Sequence, residues 1–164
     1  MKKRIIGIAV MLAVFVPLLI LGGIYYNVLI GIVSVLALWE LNGLYKKEKK
    51  LHIVLELISY LCLLMIIFSY DYLLYAIGLT ILIFLTASMV TGNEFTFKNA
   101  SYELTSIIFI AISFYIIKDI RLESIHNFVY VLLIPILTDT FALFGGKLIG
   151  KHKFTSISPN KTIE

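Results

Sequence analysis

Charge is what this chain has least of. Of its 164 residues, 15% are Asp, Glu, Lys or Arg, while 60% are hydrophobic. An ordinary soluble domain carries about 25% charged residues and intersperses them with apolar ones. Here the charges cluster between long uncharged runs, and mean hydropathy is +0.99. That pattern excludes a water-soluble globule and implies an integral membrane protein. Cysteine is almost absent: the single Cys62 lies inside an apolar run. One cysteine excludes a disulfide framework and a Cys-based metal site, and Cys62 is expected as a buried, inert thiol. Only three prolines occur, and no internal repeat, low-complexity tract or soluble-domain linker interrupts the apolar runs.

The charge that is present has a side. A net charge of +4 would suit nucleic-acid binding in a soluble protein. Its basic residues instead sit at the ends of apolar runs, where membrane orientation and anionic headgroups account for them. No nucleic-acid partner is expected. A helix needs about 20 apolar residues to cross the hydrocarbon. On that criterion the chain is an all-α polytopic membrane protein with six spans, near 5–21, 26–45, 51–70, 72–91, 103–118 and 127–146. The first two come from the uncharged run Ile5–Trp39, broken near Gly22-Gly23 and Asn27. Tyr70, Tyr72 and Tyr75 around Asp71 suit an aromatic belt at a turn. Thr91–Glu103 is expected as the longest polar loop, and His126 as part of an outer loop.

With the N-terminus in the cytoplasm, 12 basic residues fall on the cytoplasmic side and two, Lys118 and Arg121, on the other. That asymmetry supports the orientation. Met1-Lys2-Lys3-Arg4 before an apolar stretch also resembles a signal peptide, but no small-x-small cleavage site closes it, so an uncleaved first helix is expected. Residues 1–146 thus form the membrane region and 147–164 a basic cytoplasmic segment.

Several residues compete for a chemical role. His52 and Glu56 stand one helical turn apart, but near enough to the cytoplasmic surface for both to reach water. Glu40, beside Trp39, reads as interfacial. Asp139 is different: it is the 13th residue of Asn127–Gly146, well inside the membrane by residue count. A carboxylate there is costly unless it faces a partner, a metal or a water-filled cavity. Pro135, one turn earlier, can kink the helix and free a backbone carbonyl. At roughly 100° per residue, Leu143, Gly146 and Gly150 project within about 40° of Asp139. The glycines leave a lane that a neighbouring helix, a phosphate or a hydrated cation would fill equally well.

Gly145 to Gly150-Lys151 matches the G-x-x-x-x-G-K of a P-loop, with His152 where Ser or Thr should bind magnesium. It follows a transmembrane helix rather than a parallel strand, and no α/β domain accompanies it, so the P-loop reading fails. Lys147, Lys151 and Lys153 singly read as positive-inside anchors. Ser158-Pro159 adds an N-cap and N1 pair, which places a helix start there. Its free amides and dipole favour an anion, and Lys161 and Thr162 lie in the same first turn.

The run Asp139-Thr-Phe-Ala, Gly146-Lys147, Gly150-Lys151-His152-Lys153 and Ser158-Pro159-Asn160-Lys161-Thr162-Ile163-Glu164 resembles the phosphatidate cytidylyltransferase (CDP-diacylglycerol synthase) family. The likeness covers 26 residues at several fixed spacings, and Trp39-Glu40 agrees more weakly. Phe141, Asn160 and Ile163 depart from the family's usual Gly, Lys and Trp. Because the chain stops at Glu164 inside the motif, the resemblance implies an N-terminal portion of such an enzyme. It further implies a bacterial plasma-membrane location, Mg2+ as a divalent cofactor, CTP and phosphatidate as substrates, and a homodimer as an open option. Under it, Asp139, Lys151 and Lys161 would be catalytic, Lys147, Gly150, Ser158 and Thr162 would bind substrate phosphate, and Asp139 with Glu164 would face the metal. Two alternatives remain open: a CTP-dependent polyprenol or phytol kinase, and a non-catalytic membrane protein or transporter fragment.

Overall fold

A computed structural model of the chain describes residues 15–45, 53–92, 94–148 and 150. Among them the architecture is all-α. Residues 15–21 form helix α1, followed by α2 (Gly23–Tyr45), α3 (Ile53–Phe68), α4 (Leu73–Val90), α5 (Phe97–Glu123) and α6 (Ile125–Leu148). Four of these, α2, α4, α5 and α6, are long and apolar enough to cross a membrane, and α3 is a shorter apolar helix. The protein is a polytopic helical membrane protein.

The chain divides into two compact units, 1–119 and 120–164. In the first, α3 packs between α2 and α4. The break between α1 and α2 falls on Gly22 and Gly23, with φ of 67° and 55°. A side chain strains that left-handed backbone, so two adjacent glycines allow the helix to end and restart. The second helix accordingly begins at Gly23 rather than near residue 26.

These helices are apolar all round, so hydrophobicity does not choose their inner face. Size and polarity do. On α2 the buried row is Tyr26, Ile30, Ser34, Leu38 and Asn42, each four residues after the last. On α4 it is Ala76, Thr80 and Phe84, again at intervals of four. Such i, i+4 rows are the ridges by which helices interlock. Meanwhile Ile24, Val28, Ile32, Leu36 and Trp39 on α2 are exposed, as suits a lipid-facing side. Seryl and threonyl hydroxyls within the bundle bond back to their own helices, as Ser34 Oγ does to the Gly31 carbonyl at 2.9 Å and Thr80 Oγ1 to that of Ala76 at 2.8 Å. Cys62 is buried, as composition implied.

Helix α5 departs from the sequence-based expectation at both ends. It begins at Phe97, inside the stretch read as a polar loop, and runs 27 residues to Glu123. The reason is burial: Asn99 and Glu103 face inward, and Glu103 meets the Asn42 amide rather than water. At its other end the helix runs past residue 118, and Lys118, expected at the outer edge of the span, is buried within it. Its Nζ donates to the Ile67 carbonyl in the last turn of α3, over the rings of Phe68 and Tyr115 at 5.0 and 5.4 Å. A cation there meets the negative end of the α3 dipole and a carbonyl that lacks an in-helix donor. Tyr26 Oη, donating to the Ile117 carbonyl at 3.1 Å, ties α2 to the same turn of α5.

Only Ser124 separates α5 from α6, so His126 is helical and not part of a loop. The Ser124 hydroxyl accepts from the His126 amide at 3.2 Å, an N-cap bond that starts the new helix.

Candidate functional site

The second unit carries the expected site residues, and Asp139 is the one whose surroundings are described. It lies in the middle of α6, where every residue from Val129 to Ala142 is exposed. Pro135 does not break the helix, but it has no amide proton for the Val131 carbonyl four residues earlier. Just beyond it, the hydroxyls flanking Asp139 turn inward. Thr138 Oγ1 donates to the Ile134 carbonyl at 2.7 Å and Thr140 Oγ1 to the Ile136 carbonyl at 2.6 Å. Both neighbours therefore satisfy themselves on the helix backbone, and the carboxylate is the group left to face outward. Among the described residues nothing hydrogen-bonds or pairs with Asp139.

Beyond Asp139 the helix runs on to Leu148. Gly145, about 120° round the helix from Asp139, has nothing within 4 Å of where a Cβ would stand. The Gly150 amide donates to the Gly146 carbonyl at 3.2 Å, so helical bonding continues past Leu148. Gly146 and Gly150 thus keep the register that aligns them with Asp139, about 10 and 16 Å further along the axis at 1.5 Å per residue. Lys147 belongs to the last turn of α6 by its backbone. Lys151, Ser158, Lys161, Thr162 and Glu164 lie outside the described residues, as does His52. The helix therefore brings Asp139 and the two glycines onto one face.

Mg2+ prefers six oxygens, commonly from one or two carboxylates, substrate phosphates and retained waters. Asp139 would supply one such carboxylate. No group of three or more His, Cys, Asp or Glu side chains forms a metal cage among the described residues.

A second polar group, in the first unit, was not recognised in the sequence. Glu103 of α5 is fully buried, and Asn42 of α2 donates to its Oε2 at 3.4 Å. One residue earlier on each helix, Tyr102 Oη donates to the Leu41 carbonyl at 3.0 Å. Asn99 and Ser106 are buried one turn to either side of Glu103 on α5. Glu56 of α3 accepts from Tyr60 at 2.8 Å, an i, i+4 contact that does not require His52. A signal was available: Asn99, Glu103 and Ser106 recur at i, i+4 and i+7, the spacing of one helical face. Read as a loop, the segment concealed it.

Comparison with known proteins covers nearly all of this sequence. A family model described as "Cytidylyltransferase family" matches residues 2–164. A Staphylococcus aureus (strain COL) protein named phosphatidate cytidylyltransferase is 34% identical over 173 residues, covering 100% of this chain and 65% of its own length. Proteins of the same name from Staphylococcus epidermidis (strain ATCC 12228 / FDA PCI 1200) and Staphylococcus saprophyticus are each 33% identical over 172 residues, with the same coverage. The chain thus spans about two thirds of the length of the curated relatives it matches, at 65%. No solved structure matches it significantly.

Proposed function

The chain belongs to the cytidylyltransferase family, and from that premise we propose that it serves as a phosphatidate cytidylyltransferase. In the proposed reaction a phosphate oxygen of phosphatidate attacks the α-phosphorus of CTP. The bond from that phosphorus to the α–β bridging oxygen breaks, pyrophosphate leaves, and CDP-diacylglycerol forms. The observation that carries this reading is Asp139, an exposed carboxylate in the middle of an apolar helix long enough to span a membrane, which begins the family-like motif and shares a helix face with Gly146 and Gly150. The relatives' names favour cytidylyl transfer over the kinase and transporter alternatives.

The proposed chemistry needs charge neutralisation and alignment more than covalent help, as in other phosphoryl transfers. Asp139, with Glu164 as second candidate, would hold a divalent metal, Mg2+ in this proposal, whose positive charge offsets that of the phosphates. Lys147 and Lys151 would draw the phosphates of lipid and nucleotide to the bilayer surface. Gly150 would let them approach the backbone closely. Ser158, Lys161 and Thr162 would bind phosphate at the helix start marked by Ser158-Pro159, where free amides and the dipole favour an anion. Lys151 and Lys161 are the cations assigned to the reacting phosphates. The proposed partners are CTP, phosphatidate and the bilayer of a bacterial plasma membrane. A homodimer is the oligomeric state to test, by cross-linking in membranes.

Asp139→Asn, introduced into an intact enzyme carrying this segment, tests the assignment. CTP-dependent formation of CDP-diacylglycerol should be abolished while membrane insertion stays unchanged. Retained turnover rejects the metal role. A phosphorylated alcohol as product, in place of a CDP-lipid, rejects the reaction itself.

A further inference from the structure

We draw no further inference here: the strongest candidate, the buried Asn42–Glu103 side-chain cluster between α2 and α5, is an interhelical contact already described, and nothing in the structure points to a ligand that it would take.

Discussion

Replacing Lys118 by Met asks whether a buried cation in a membrane helix stabilises the bundle or merely survives in it. Two effects oppose each other. Removing the ammonium relieves the cost of keeping a charge away from water, a cost of several kcal/mol that apolar replacements often recover. Against that stand three losses. The bond to the Ile67 carbonyl is charge-assisted, a class that contributes roughly 1.5–3 kcal/mol. The contacts with Phe68 and Tyr115 contribute on the order of 0.5–2 kcal/mol each, nearer the upper end when desolvated. The carbonyl left behind belongs to the last turn of α3, where no in-helix amide replaces the donor, and an unsatisfied buried acceptor costs about 1–3 kcal/mol. Because Met relieves the charge but strands the carbonyl, the losses should win by about 1–3 kcal/mol. At roughly 2–4 °C per kcal/mol for a chain of this size, Tm should fall by about 2–12 °C. Thermal unfolding of the purified chain in detergent measures this. Lys118→Gln keeps a neutral donor and should lie between Met and wild type. A Met variant at or above the wild-type Tm would refute the capping role.

Three further outcomes rest on other contacts of the same helices. Asn42→Leu and Glu103→Leu should each destabilise, with Glu103→Leu the worse because Glu103 has interactions beyond Asn42. A double-mutant cycle should give a coupling on the order of 0.6 and at most about 1.7 kcal/mol, and strict additivity would show that the 3.4 Å contact contributes nothing. Gly146→Leu in the intact enzyme should leave insertion intact and cut CDP-diacylglycerol formation by at least tenfold, on the order of 1.4 kcal/mol of transition-state stabilisation; undiminished turnover would remove the glycine lane from the site. Ser124→Ala should destabilise by about 0.5–2 kcal/mol through loss of the α6 N-cap, read by thermal unfolding, and an unchanged Tm would mean the cap is dispensable.

Composition alone determined the class of this protein: charge confined between uncharged runs leaves no way to build a soluble core, and helices satisfy their own backbone in lipid. The position of Asp139 in the middle of a helix was equally legible, because a carboxylate so deep in an apolar run is conspicuous by count, and the glycine spacing after it follows from helical geometry. Tertiary structure decided which face of each helix turns inward. In water an apolar stripe would have announced it, but α2 and α4 are apolar all round, and the inner rows are marked instead by Ser34, Asn42 and Thr80. It also decided the fates of Glu103 and Lys118. Both looked like residues for the membrane edge, since sequence shows charge but not the partner that makes burial tolerable. Asn42 is 61 residues from Glu103, and the Ile67 carbonyl is 51 residues from Lys118. Only the packing of α2 and α3 against α5 brings those groups within reach.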